Sequence, residues 1–245
     1  MDSTEVKLQY KIREKSKRAV PAIIVAAGSS TRMRGINKQF MPILGVPVIV
    51  RTLMAFETCS DVSKIIVVTS CNTLQDVQTL CDKYAISKVV AIVEGGANRH
   101  ESVVSGMSQL DERDEKVLIH DGARPFIKGG TISEVVSALN VFDAAICVNK
   151  INDTVKQISE DGIVLSTVDR SKLYAVQTPQ GIDVKKYKSA CEFVSDIESF
   201  TDDASIMEAA GYIVKAVVSS GKNIKITTPD DIAIAEALVK GEDEA

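Results

Sequence analysis

An α/β fold, with a mostly parallel sheet covered by helices on both faces, is predicted by three features of the sequence. Short apolar runs of strand length recur at residues 22–25, 65–69, 89–93, 117–119 and 144–148. Between most of them lie stretches with apolar residues at helical spacing, such as Val77, Leu80, Cys81 and Tyr84. Small or charged residues follow several of the runs, as in Gly28-Ser29-Ser30-Thr31, Glu94-Gly95-Gly96 and His120-Asp121-Gly122. Parallel strands buried on both faces read as continuous rather than alternating apolar runs. Ligands of such sheets sit beyond the carboxyl ends of the strands. The small and charged stretches are therefore expected to converge on one edge.

Residues 1–20 form a basic extension, with Lys7, Lys11, Arg13, Lys15, Lys17 and Arg18 diluted by Asp2, Glu5 and Glu14. No apolar segment of the secretory kind follows, so a floppy or weakly helical extension is expected rather than a targeting peptide. The first strand empties into a loop containing Arg32, Arg34 and Lys38, and no acid lies between Ala22 and Lys38. Small residues there let backbone N–H groups approach an anion, and the cations match a phosphorylated ligand. Six residues separate Gly28 from Gly35 and Ile36 follows, which excludes the NTPase phosphate loop. Ser30 stands where the dinucleotide fingerprint requires its second glycine. Taken alone, this stretch also reads as a surface turn with scattered charges.

Helices are expected over residues 48–58, behind the second strand, and around Val103, Val104, Met107 and Leu110. Residues 143–187 break the rhythm. Two alternating runs around Glu160-Asp161-Gly162 predict a β-hairpin, read as an edge decoration or a dimer arm. Thr201 or Asp202 is placed to cap a helix, strands are expected at 212–218 and 223–227, and Pro229-Asp230-Asp231 opens a last helix. One domain over residues 21–240 is expected, with 149–175 as the projecting arm and 241–245 as an acidic tail.

Bulk composition narrows the function. Net charge is −4 and aromatic residues are 4%, without tryptophan. That leaves neither a general attraction to nucleic acid or acidic membranes nor a base-stacking platform. The cysteines, Cys59, Cys71, Cys81, Cys147 and Cys191, are five in number and widely spaced. Reduced thiols in a cytoplasmic protein are expected. No apolar run approaches the ~20 residues of a membrane span.

Asp121, at the end of a strand and facing the cationic loop, suits a divalent ion shared with phosphate oxygens; it also suits a tight turn with Gly122. Ser102 reads as a hydroxyl offered to a ligand, as a helix cap, or both. His120 reads either as a base or as packing beneath Asp121.

These segments resemble one family. Ala26-Ala27-Gly28 through Arg32-Met33, then Lys38-Gln39-Phe40, is similar to the nucleotide loop of sugar-phosphate nucleotidyltransferases. Among these it is most similar to the 2-C-methyl-D-erythritol 4-phosphate cytidylyltransferases of isoprenoid biosynthesis. Gly95-Gly96-Ala97-Asn98-Arg99 with Ser102-Val103 resembles their segment against cytosine and ribose, although Ala97 stands where an acid is frequent. His120-Asp121-Gly122-Ala123-Arg124-Pro125, Asp153-Thr154, Thr167-Val168-Asp169-Arg170, Thr178-Pro179-Gln180, Thr201-Asp202-Asp203-Ala204-Ser205 and Asn223-Ile224-Lys225 follow in the family's order.

The resemblance implies a Rossmann-like cytidylyltransferase that joins CTP to a sugar-alcohol phosphate with release of pyrophosphate. It implies catalytic roles for Arg32, Lys38, Arg170 and Lys225. It implies substrate contacts from Ala26, Ala27, Gly28, Gly96, Arg99, Ser102, Asp121, Arg124 and Thr154. Asp121 would also hold Mg²⁺ or another divalent cation. The hairpin, carrying Thr154 and Arg170, would reach the neighbouring subunit's site and make the protein a homodimer. A pentitol-phosphate cytidylyltransferase using ribitol 5-phosphate is the close alternative, and a non-catalytic nucleotide-binding domain the distant one.

Overall fold

The computed structural model describes residues 18–28 and 37–243. Its strands are β1 (Val20–Val25), β2 (Pro42–Ile43), β3 (Val46–Pro47), β4 (Val62–Thr69), β5 (Val89–Glu94), β6 (Lys116–Asp121), β7 (Ala144–Lys150), β8 (Val155–Ile158), β9 (Val164–Val168), β10 (Tyr174–Asp183) and β11 (Val214–Val218). Seven of them form one sheet in the order β11-β7-β10-β6-β1-β4-β5. Neighbours run parallel except at β10, which is antiparallel to both β6 and β7. The chain winds outward from β1 through β4 to β5 and then returns to the other side of β1 with β6. That reversal opens a crevice at the carboxyl ends of β1 and β6, where open α/β sheets take their ligands.

The helices are α1 (Val48–Glu57), α2 (Leu74–Lys83), α3 (Arg99–Met107), α4 (Gly129–Ala138), α5 (Val184–Phe193), α6 (Asp203–Ala209) and α7 (Asp230–Asp243). Strand alternation sorts the core into two layers. Ala22, Ile24, Ile65 and Val67 face α1, α2 and α4, whereas Ile23, Ile66 and Val68 face α3, α5 and α6. Ile23, Ile24, Ile65 and Ile66 are fully buried. Each contributes on the order of 1.5–3 kcal/mol relative to an exposed position.

β8 and β9 pair antiparallel as a separate two-stranded sheet. The turn closes through Gly162 N–H donating to the Ser159 carbonyl at 3.0 Å, with Gly162 at φ +80°, where a Cβ would be strained. β7 continues to Lys150, so the hairpin strands start later than the alternating pattern suggests.

Residues 223–227 are not a strand. Their backbone turns to the loop after β6, with Ile226 N–H donating to the Ala123 carbonyl at 2.8 Å. Asn223 Nδ2 donates to the Thr178 carbonyl at 3.0 Å and to Gln177 Oε1 at 3.1 Å. Asp231 Oδ2 then accepts from the N–H groups of Thr227 and Thr228, which fixes the start of α7. No helix among the described residues is long and apolar enough to cross a membrane.

Candidate active site

The expected convergence occurs. A cavity of about 330 Å³ is lined by Ala27 and Gly28 after β1, Lys38, Gly96, Arg99 and Ser102 after β5, and Asp121 at the end of β6. A second cavity of about 340 Å³ lies beside it, lined by Arg124, Gln177, Thr178, Gln180, Thr201 and Asp202. Arg99, Asp121 and Lys225 line both cavities and so form their common wall.

Local chemistry explains each placement. Lys38 opens a 3₁₀ turn (Lys38–Phe40) held by the Asn37 side chain, which accepts from Gln39 N–H at 3.1 Å. Asn98, not Ser102, caps α3: its Oδ1 accepts from Glu101 N–H at 2.9 Å. Glu101 reaches back to Ala97 N–H at 2.8 Å, satisfying a second orphan donor in the manner of a capping box. Ser102 sits one turn into the helix, buried, with its hydroxyl donating to the Asn98 carbonyl at 2.9 Å. Ala26, counted with the loop, is buried beneath it. Asp202 caps α6 by accepting from Ser205 N–H at 3.0 Å.

Gly96 is required by close approach. A Cβ there would lie 2.2 Å from Glu101 Cβ and 2.6 Å from Glu101 Oε2. Gly96→Ala must displace the capping glutamate together with the cavity wall. We expect affinity for CTP, the nucleotide that the resemblance implies, to fall about tenfold, from a perturbation of about 1.4 kcal/mol, with helix content by circular dichroism essentially kept. Unchanged affinity would show that this wall does not contact the nucleotide.

Asp121 is the electrostatic centre. Its Oδ2 lies 2.9 Å from Lys225 Nζ and 3.3 Å from Arg124 Nε, and its Oδ1 lies 4.0 Å from Arg99 Nε. Burial opposes its charge, but Lys225, Arg99 and Arg124 together hold its carboxyl well below the usual range. Arg124 is fixed in turn by donating from Nη1 to the Asn223 carbonyl at 2.9 Å.

His120 is packing, not a base open to ligand. It is fully buried, and its ring centroid lies 4.9 Å from that of Phe56. Nε2 is 3.2 Å from the Arg124 carbonyl, which can only accept, so Nε2 carries the proton. Nδ1, 3.0 Å from Thr178 Oγ1, therefore accepts from that hydroxyl, whose oxygen in turn accepts Asp121 N–H at 3.0 Å.

Of the other sequence-predicted residues, Arg32 lies outside the described residues. Thr154 and Arg170 are exposed on the hairpin segment and line neither cavity of their own chain. Sequence reasoning missed the partner of Arg99, the buried Asp203 of α6, at 2.7 Å. The adjoining acids of Thr201-Asp202-Asp203 were the only available signal, and nothing local says which one turns inward.

Comparison with known proteins identifies the family. Residues 20–241 match the IspD family, described as 2-C-methyl-D-erythritol 4-phosphate cytidylyltransferase. The enzyme of that name from Alkaliphilus metalliredigens is 39% identical over 226 residues, covering 90% of this chain and 92% of the relative. That from Clostridium novyi is 40% identical over 225 residues, covering 89% and 96%. The crystal structure of 4-diphosphocytidyl-2C-methyl-D-erythritol synthase from Anaerococcus prevotii superposes with a TM-score of 0.81 at 31% identity, covering 91% of this chain and 97% of that one. With nearly its whole length matched, the chain belongs to the 2-C-methyl-D-erythritol 4-phosphate cytidylyltransferase family.

Proposed function

We propose that this protein transfers the cytidylyl group of CTP to 2-C-methyl-D-erythritol 4-phosphate, giving 4-diphosphocytidyl-2-C-methyl-D-erythritol and pyrophosphate in isoprenoid precursor synthesis. The observation that carries this reading is the pair of cavities meeting at Asp121, Arg99 and Lys225. The nucleotide occupies the cavity of Gly28, Lys38, Gly96 and Ser102. The acceptor occupies that of Arg124, Thr178 and Thr201, so that its phosphate meets the α-phosphorus at the common wall.

A phosphate oxygen of the acceptor attacks the α-phosphorus, and the bond to the β-phosphate breaks with its electron pair leaving on pyrophosphate. No protein nucleophile takes part. Catalysis is then positioning plus stabilisation of charge on the phosphates. Lys38 faces the triphosphate, a role the resemblance also gives to Arg32; Lys225 and Arg124 grip the acceptor phosphate. Their rigid attachment through Asp121 and Asn223 lowers the cost of alignment.

Among the described residues, Asp121 is the sole carboxylate lining the nucleotide cavity, and they contain no cluster of three candidate metal ligands. A hard carboxylate oxygen beside a polyphosphate fits Mg²⁺ or another divalent cation, which takes most of its ligands from phosphate and water. Bound there, the ion would neutralise phosphate charge.

The exposed hairpin carries Thr154 and Arg170 with apolar Ile158, Ile163, Val164 and Leu165, each more than half exposed. These features support a homodimer in which each hairpin reaches its partner's acceptor cavity. Five free cysteines suit a cytoplasmic setting.

The test is pyrophosphate release from CTP and Mg²⁺, with methylerythritol phosphate and ribitol 5-phosphate offered separately. Release with the first alone is expected. Release with ribitol 5-phosphate alone would overturn the acceptor, and silence with both from protein that binds CTP would overturn catalysis.

A further inference from the structure

Arg99 contributes to both cavities, yet its strongest partner lines neither. Its Nη2 donates to Asp203 Oδ2 at 2.7 Å. Asp203 is 1% exposed. Its second oxygen, Oδ1, accepts from the Tyr187 hydroxyl at 3.1 Å, and Tyr187 is itself 1% exposed. Both oxygens of the carboxylate are thus engaged by fixed donors. A charged carboxylate is retained at such depth only when it is paired and hydrogen-bonded.

The three residues come from three helices. Arg99 is the first residue of α3, whose opening turn walls the nucleotide cavity. Asp203 is the first residue of α6, preceded by Thr201 and Asp202 of the acceptor cavity. Tyr187 projects from the middle of α5 into the layer between them.

We propose that Asp203 and Tyr187 are positioning residues, which hold Arg99 as a strut between the two cavities and through it set the placement of Asp121. The inference rests on the reading of the cavities as nucleotide and acceptor sites. Neither residue touches a ligand; their effect passes through Arg99, whose Nε stands 4.0 Å from Asp121 Oδ1. At that distance Asp121 and Arg99 attract without contact, so Asp121 stays committed to Lys225 and Arg124.

Removing the charge of Asp203 leaves Asp121 as the nearest carboxylate to Arg99. The guanidinium then closes on Asp121 and draws it from Lys225, tilting the wall at which the reactants meet. Electrostatics separates this role from simple structural support. Tyr187 cannot compensate for the lost charge. Burial, followed by the adjacent Asp203 carboxylate, pushes its phenol above the ordinary range, so it stays neutral.

The test uses Asp203→Asn and Tyr187→Phe in the full chain. Asparagine keeps an oxygen for Arg99 and a polar group for the tyrosine while deleting the charge. We expect kcat to fall about ten- to hundredfold in Asp203→Asn, the scale for misplacement by about an ångström. Affinity for CTP, measured calorimetrically without divalent cation, should stay the same or improve, because the site has become more positive toward a polyanion. Tyr187→Phe leaves the charge unchanged, so kcat should fall severalfold with CTP affinity at the wild-type value.

Wild-type turnover in both variants overturns the proposal. So does a loss of CTP affinity in step with a falling thermal midpoint, the signature of mere structural support. If Asp203→Asn does not fold, Tyr187→Phe decides by the same split. A wild-type protein that releases no pyrophosphate would sink the functional reading, while the comparison of CTP affinities would still report on the strut.

Discussion

Replacing Asp121 by asparagine should lower turnover about a thousandfold, at the upper end of what one electrostatic group contributes to such sites. The side chains differ little in shape, so the effect isolates charge. Asp121 gathers Lys225, Arg124 and Arg99 around one carboxylate. Without that anion the cations repel one another and the acceptor-side groups lose their common anchor. The stability loss should be smaller, about 1–2 kcal/mol on the scale of hydrogen bonds to charged groups. Lys225 is 38% exposed and can turn toward water, which limits the loss.

Acid should not mimic this variant near neutrality. The folded-state carboxyl of Asp121 is held below its unfolded value of about 3.9, with burial opposing the shift and Lys225, Arg99 and Arg124 driving it. The stability it contributes is therefore complete above that unfolded value and is lost only as pH falls through the folded one. Steady-state turnover and a urea melt of Asp121→Asn check both halves. Activity within tenfold of wild type would reduce Asp121 to a turn-shaping residue.

The half of this site proposed for the nucleotide is legible in the sequence because it is built locally. β1, β5 and β6 are apolar runs, and their ligand-facing residues follow within a few positions. The sequence alone places Asp121 and Gly96 at strand ends. The half proposed for the acceptor was harder to read. β10 contains Pro179, which argues against a strand interior, and the ladder accommodates it where the pairing with β7 shifts register between Gln177 and Gln180.

Residues 223–227 have the composition of a strand but spend their hydrogen bonds on Ala123, Thr178 and Arg124. That choice positions Lys225, and only tertiary structure makes it. The pairing of Arg99 with Asp203 spans 104 positions. Periodicity reports which face a residue occupies, not which distant acid meets which cation. The helices α4 and α5 were missed for simpler reasons: α4 opens on Gly129-Gly130, which are poor helix formers, and α5 starts at Val184, inside the stretch where the alternation breaks.

His120 makes stability depend on pH in a window above that of Asp121. It is fully buried, with Nε2–H donating to the Arg124 carbonyl and Nδ1 accepting from Thr178. Burial, only partly offset by Asp121 and the Arg124 carbonyl, lowers its pKa to about 4. In the unfolded chain it titrates near 6.5. Between those values the unfolded state binds a proton that the folded state refuses, so stability falls as pH falls from about 6.5 to about 4. The difference corresponds to about 3 kcal/mol. Below that window the folded protein also takes the proton, and Nδ1–H then faces a hydroxyl that had been donating to it. The Thr178 hydroxyl hydrogen must then turn away to another acceptor, while its oxygen accepts from both Nδ1–H and Asp121 N–H.

His120→Gln removes the titration. It should be less stable than wild type at pH 7 by about 1–2 kcal/mol, from lost contact with Phe56 and imperfect hydrogen bonds. Its stability should nevertheless decline much less between pH 6.5 and 4. Chemical denaturation of both proteins across that range reads the two slopes directly. Parallel slopes would show that His120 takes up its proton in the folded state as readily as in the unfolded chain. A flattened slope in the variant, with activity at pH 7 kept within about tenfold, would show that the imidazole holds the floor of the site as a neutral ring.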